Sequence, residues 1–221
     1  MIKRLFVAVG MALLASTATA DQYWIAYEGD ELPEMEGWSR VFSDGGAERS
    51  VADGALVLDS RRSISIVDYY NWEQPLNPGP NELFVMEWSL RVDFVSARED
   101  PNLGVFSDDF RAVGFEFSES YLIDAFHPNR RFEIEPHVFH SYRLQSADMR
   151  DYELWVDGIP ALSGSFFGVF DNSRVTWGDG VQGSASLADW DYFRFGVIPE
   201  PSPGIALYSM IYLIRRSGMG R

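Results

Sequence analysis

Two glutamates stand two apart in the stretch Phe132-Glu133-Ile134-Glu135. If the stretch is a strand, both carboxylates share one face. Paired carboxylates are the equipment of glycoside hydrolysis, one acting as acid and the other as nucleophile or base. The neighbours argue against that chemistry. Pro136 cuts the strand short, no third acid follows to push one carboxyl upward, and Arg130 and Arg131 would hold both ionised. No catalytic residue is expected here. His137 and His140 lie three apart, a spacing that sends them to opposite faces of a strand and disfavours a shared zinc. Acyl transfer finds no Gly-x-Ser-x-Gly elbow, and thiol chemistry finds no cysteine.

Hard oxygen donors are more plentiful. Glu28, Asp30 and Glu31 fall in "YEGDELPEMEGW", and Asp189 and Asp191 fall in "ADWDYF" far along the chain. Calcium takes several such oxygens, main-chain carbonyls included, so it is the metal these acids suit. Aromatic residues form a third group. Tyr69, Tyr70 and Trp72 lie in "VDYYNWEQ", and Trp155 alternates away from Leu154. Such rings either flank a groove and stack on the apolar faces of sugars or pack into the core. Tyr70, Trp72 and Trp155 are the ligand-binding candidates.

The elements that must carry these residues read as strands. In "LFVMEWSLRVDFV", Phe84, Met86, Trp88, Leu90, Val92 and Phe94 fall on one face and Glu87, Ser89, Arg91 and Asp93 on the other. That is a half-buried antiparallel strand. The same alternation places Val113, Phe115 and Phe117 together, then Tyr152, Leu154 and Val156, then Phe193, Phe195 and Val197. Shorter candidates are "ALVLD", "SISIVDYY", "YLIDAF", "HSYRLQS" and "RVTWG". Turn signals such as Asp53-Gly54 and Asp157-Gly158 separate them. Many short strands with no interleaved helices predict an all-β sandwich or barrel. The acid-rich stretch from Ser96 to Asp109 is expected to be a solvated loop.

The chain of 221 residues carries a net charge of −15 and is 15% aromatic. One domain with extensions at each end fits that length. The acidity disfavours nucleic acid and anionic lipid as partners. Lys3 and Arg4, an apolar run from Leu5 to Leu14, and Ala18-Thr19-Ala20 have the order of a secretory signal peptide over residues 1–20. The run is too short to cross a hydrocarbon core of about 30 Å.

The other end reads Pro199-Glu200-Pro201, then an uncharged run from Gly204 to Ile214, then Arg215-Arg216. It resembles the PEP-CTERM sorting tail of exported bacterial proteins. The resemblance implies an exosortase-type protease as partner, membrane contact through a short hydrophobic C-terminal helix, and delivery to the cell surface or extracellular matrix. The sorting tail would occupy 198–221 and the folded domain 21–197.

Between the ends, "FHSYRLQSADMRDYELWVDGIPALSGSF" has His140 leading Tyr142–Leu144, a polar turn, and Tyr152–Gly158. It resembles the central hairpin of concanavalin A-like lectin/glucanase and laminin-G-like domains. "ADWDYFRFG" and "GALVLD" resemble a late and an early strand of the same jelly roll. The resemblance implies a concanavalin A-like jelly-roll β-sandwich, with first and last strands adjacent and a structural calcium near them. Glu28, Asp30 and Asp191 are its implied ligands. Laminarinase-type members of that fold carry Glu-Ile-Asp-x-x-Glu, which "FEIEP" lacks. The expectation is a non-catalytic protein that binds extracellular polysaccharide. The alternative is a glycoside hydrolase or polysaccharide lyase on the same fold.

Overall fold

The computed structural model describes residues 25–42, 47–62, 67–71, 76–96, 101–168, 173–179 and 184–200. The expected signal peptide, Trp72, and the tail from Pro201 onward lie outside the described residues. In chain order the strands are β1 (Ile25–Tyr27), β2 (Ser39–Phe42), β3 (Glu48–Ala52), β4 (Ala55–Asp59), β5 (Val67–Asn71), β6 (Glu82–Val95) and β7 (Asn102–Phe106). They continue with β8 (Ala112–Phe117), β9 (Tyr121–Asp124), β10 (His127–Glu133), β11 (His140–Ser146), β12 (Asp151–Val156), β13 (Ile159–Ser165), β14 (Arg174–Asp179) and β15 (Ser186–Pro199). A single turn of 3-10 helix spans Pro33–Glu36. No helix among the described residues is long and apolar enough to cross a membrane.

The strands form two antiparallel sheets. Sheet I runs β13-β12-β11-β6-β15-β4-β3, with β1 also paired to β15. Sheet II runs β10-β9-β8-β7-β14-β5-β2. This is the all-β sandwich that the alternation predicts. The period-two pattern decides which side chains meet. On β6, Phe84, Met86, Trp88, Leu90 and Val92 are buried, whereas Phe94 at the strand end is 38% exposed. Val113, Phe115 and Phe117 of β8, Tyr152, Leu154 and Val156 of β12, and Phe193 and Phe195 of β15 join them in one core. Rings from the two sheets interlock there: Trp177 of sheet II stacks on Phe193 of sheet I with centroids 5.1 Å apart.

Turn chemistry sets the hairpins. Asp53-Gly54 and Asp157-Gly158 all take positive φ, the backbone a two-residue hairpin turn needs for its strands to keep their twist. At the second of these, the buried His140 ring is held between the Asp157 carboxylate (2.6 Å from Nδ1) and the Glu135 carbonyl (2.8 Å from Nε2). His140 thus pins the hairpin, the structural role its place in the motif implies.

One expectation fails. Within the stretch read as a solvated loop, Asn102–Phe106 is β7, at the centre of sheet II between β8 and β14. Leu103 and Val105 are buried in the core. The strand is too short for its alternation to stand out among acidic neighbours, and pairing on both edges holds it in place. At the other end, β15 continues past the expected boundary at 197 to Pro199, which pairs with Glu82.

Candidate functional site

Alternation has a second consequence: each sheet shows the solvent a face of its own. On sheet II, Asp68 of β5, Gly178 of β14, Asn102 of β7 and Glu116 of β8 are successive register partners. They form one row across four strands. The next row is Tyr70, Thr176, Gly104 and Gly114. Glycines in the floor leave a shallow groove of about 240 Å³, lined by Asp68, Asn102, Glu116, Arg174, Phe106 and Phe126. Aromatic rings gather at one end. Arg174 lies over the Phe106 ring at 4.3 Å, and Phe126 stacks on Phe167 at 5.5 Å. Phe167 and nearby Phe110 are each 53% exposed. Phe110 holds φ at +62°, a backbone that a large side chain seldom adopts.

Burial pushes the Asp68 carboxyl up to about 7; nearby Asp179 adds to the rise and Arg174 opposes it. Asp68 Oδ1 is buried with no hydrogen-bond partner among the described residues. A carboxyl that titrates near neutrality suits a general acid. Among the described residues, the acid that shares its outward row is Glu116, since the nearby Asp179 is buried. Asp68 and Glu116 are separated by three strand spacings, or about 14 Å. Glycosidase pairs stand about 5–5.5 Å or about 6.5–9.5 Å apart. Along β8 the outward positions are Ala112, Gly114 and Glu116, a single acid.

The local pair from the sequence does not form a site. Glu133 ends β10 and accepts from Arg131 Nε at 2.6 Å, while Glu135 lies beyond the strand and is exposed. His137 is exposed, 3.7 Å from Asp93, and His140 is the hairpin pin. The aromatic candidates also part company. Tyr70 belongs to β5 and faces outward from sheet II, and Trp155 belongs to β12 and faces outward from sheet I. Strand parity turns each toward solvent, and the two sheets turn those faces in opposite directions.

The expected metal ligands gather more loosely than the resemblance implies. β1 pairs with β15, so Glu28 and Asp30 follow directly on Tyr27, the partner of Phe193. The buried Tyr27 hydroxyl is raised by burial and then by the charges of Glu36, Tyr69, Asp30 and Asp191 around it. Burial likewise raises Glu36, whose Oε2 accepts from the Glu28 N–H at 2.9 Å and whose Oε1 is buried with no hydrogen-bond partner among the described residues. The main-chain carbonyl oxygens of Gly54 and Asp191 converge on Gly29, 2.2 and 2.5 Å from where a Cβ would sit. The strand irregularity between Trp190 and Tyr192 is what places Asp191 there. Among the described residues no three His, Cys, Asp or Glu side chains are grouped to hold a metal. Those distances mark close backbone packing at Gly29 and leave no room for an ion between the two carbonyls, so a hard cation near here would have to be held by carboxylates. Glu36 and Gly54 escape a sequence reading because nothing in their spacing marks them.

No protein-family model matches the chain, and no curated protein is significantly similar to it. Solved structures are similar in fold. A carbohydrate esterase, vb_24B_21 of the Shiga toxin-encoding bacteriophage phi24B, superposes with a TM-score of 0.55 at 12% identity, covering 78% of this chain and 97% of that one. A glycosyl hydrolase family protein of Mycobacterium fortuitum gives 0.53 at 12% identity, covering 78% and 99%. The carbohydrate recognition domain of Emp46p in its potassium-bound form gives 0.47 at 10% identity, covering 74% and 90%. The architecture is thus that of a jelly-roll β-sandwich, and the fold alone does not fix the function.

Proposed function

We propose that this chain is an exported, surface- or matrix-associated binding protein without catalytic activity, which holds neutral polysaccharide against the outer face of sheet II. The observation that carries the reading is the layout of that face. Its two row-sharing acids, Asp68 and Glu116, stand about three strand spacings apart over a glycine floor, too far for a hydrolytic pair. Exposed aromatic rings close one end, where sugar C–H faces can stack. The net charge of −15 favours neutral over acidic glycans. Two of the similar solved structures, the carbohydrate esterase and the glycosyl hydrolase family protein, are in keeping with this choice of ligand. The rival reading, a glycoside hydrolase or polysaccharide lyase, draws on one observation: the Asp68 carboxyl, raised to about 7.

One assay separates them. The purified full chain is incubated with laminarin and with lichenan, and both retention and released reducing ends are measured. Binding without release is expected, weakened by Phe167→Ala and indifferent to Asp68→Asn and Glu116→Gln as far as turnover goes. Release of reducing ends that either acid variant abolishes would establish the enzyme.

Export is part of the same proposal. Pro199 and Glu200 are exposed, and the Glu200 N–H bonds to the Asn81 carbonyl at 2.8 Å. An exosortase-type protease would recognise the Pro199-Glu200-Pro201 signature. Intact-mass analysis of the protein from its native host should show neither Met1 nor Arg221. A surface-located form retaining either end would refute the sorting scheme. A structural calcium held by Glu28, Asp30 and Asp191, the ligands the resemblance implies, completes the proposal.

A further inference from the structure

The outer face of sheet I is not used by the reading above, and it is the better formed of the two. Trp155 of β12, Arg143 of β11, Glu87 of β6 and Arg194 of β15 are successive register partners, one row across four strands. The neighbouring row holds Ser141, Ser89 and Tyr192. Glu87 lies between two arginines. Its Oε1 accepts from Arg143, and its Oε2 accepts from Arg194 Nη2 at 2.9 Å and Nε at 3.1 Å. The Arg194 guanidinium also stands over the Tyr192 ring at 5.1 Å. Gln145 donates to Glu153 at 3.1 Å beside them. The groove so formed has a volume of about 440 Å³ and is lined by Trp155, Tyr192, Arg143, Glu87, Gln145 and Ser141.

Each part suits one kind of ligand. Trp155 and Tyr192 sit three strands apart, about 14 Å, so an aromatic ring stands near each end. Between them lie planar polar groups held rigid by their own ion pairs, and a floor of serines that keeps the middle open. Two arginines are set against Glu87, Glu153 and the acids beside Tyr192, Glu28 and Asp191, so the groove offers no positive field for a polyanion. The acidic chain as a whole repels polyanions further.

We propose that this groove is a second glycan site, specific for extended neutral oligosaccharides and independent of the face of sheet II. The two outer faces point in opposite directions, so one copy of the chain would bridge two polysaccharide strands. Bridging is a function beyond simple attachment: it makes the protein a cross-linker of its matrix.

Isothermal titration of the full chain with cellohexaose, laminarihexaose and xylohexaose tests the site. With at least one of these probes, Trp155→Ala should weaken a binding event about tenfold or more, the scale of one lost aromatic contact with its buried area. Trp155→Phe should restore most of it, and Phe167→Ala on the other face should leave it unchanged. Gln145→Ala, a surface change that leaves the core intact, should weaken the same event if Trp155→Ala does not fold. Binding that responds to Phe167→Ala but to neither Trp155→Ala nor Gln145→Ala would overturn the second site while keeping the first. Binding lost only in the groove variants would keep this site and refute the sheet II reading. Absence of binding to all three probes, or capture of alginate in preference to them, would overturn it too.

Discussion

Replacing Trp177 with alanine should lower the melting temperature by about 10 °C or more, the largest single effect expected from a core side chain. Trp177 projects inward from β14 and is fully buried. Its ring meets Tyr27 at 5.3 Å, Trp38 at 5.5 Å, Tyr69 at 5.0 Å, Trp190 at 5.0 Å and Phe193 at 5.1 Å. Those partners come from both sheets, so the indole is a peg between the layers. Truncating a buried Trp costs about 3–5 kcal/mol, because rigid neighbours cannot collapse into the space. In a domain of this size each kcal/mol is worth roughly 2–4 °C. The indole N–H finds no acceptor among the described residues. Trp177→Phe, which keeps the stack and removes that orphan donor, should therefore lose far less than the alanine variant. Thermal unfolding followed by near-ultraviolet circular dichroism measures both. A Trp177→Ala protein melting within a degree or two of the parent would show that the sheets are not held together through this ring.

Calcium should raise the melting temperature of the full chain, and Gly29→Ala should abolish that rise while destabilising the apoprotein. An ion bound only by the folded state stabilises by mass action, about 2.7 kcal/mol at a hundredfold excess over Kd. That corresponds to roughly 5–10 °C here. Gly29 holds φ at +80°, where a side chain alone costs about 1–2 kcal/mol. A methyl group there would also lie 2.2 Å from the Gly54 carbonyl oxygen and 2.5 Å from that of Asp191, so two segments of backbone must move apart. That movement would displace the segments that carry the expected ligands Glu28, Asp30 and Asp191. Asp191→Asn disturbs the backbone far less and should shrink the calcium shift without the apoprotein penalty. Identical melting curves in excess chelator and in millimolar calcium would refute the metal. A shift that survives Asp191→Asn at full size would refute the site.

Much of the fold is legible residue by residue. The strands β6, β8, β12 and β15 announce themselves because large aromatic and aliphatic side chains recur at every second position, and only a strand puts such positions on one face. Asp53-Gly54 and Asp157-Gly158 mark hairpin turns because few residue pairs tolerate positive φ in succession. Trp155 could be read as facing away from the core for the same reason. The absence of cysteine, the acidity, and the ordered residues of the two ends were likewise decided before folding.

Only the tertiary structure decided which strands became neighbours. Alternation says that a residue faces in or out of its sheet, not which sheet receives it, since burial of apolar surface is non-directional. Tyr70 and Trp155 therefore looked like members of one groove and stand on opposite faces. Asn102–Phe106 was hidden in an acidic stretch and became a central strand once β8 and β14 satisfied its backbone on both sides. Glu87 met Arg143 and Arg194, far from it along the chain, because β6 happens to lie between β11 and β15. Gly29 met Gly54 and Asp191 through an irregularity that no local spacing encodes. Period-two chemistry is written locally, whereas register and strand order are set by the cooperative pairing of distant segments, and every candidate site on this protein is a product of the second.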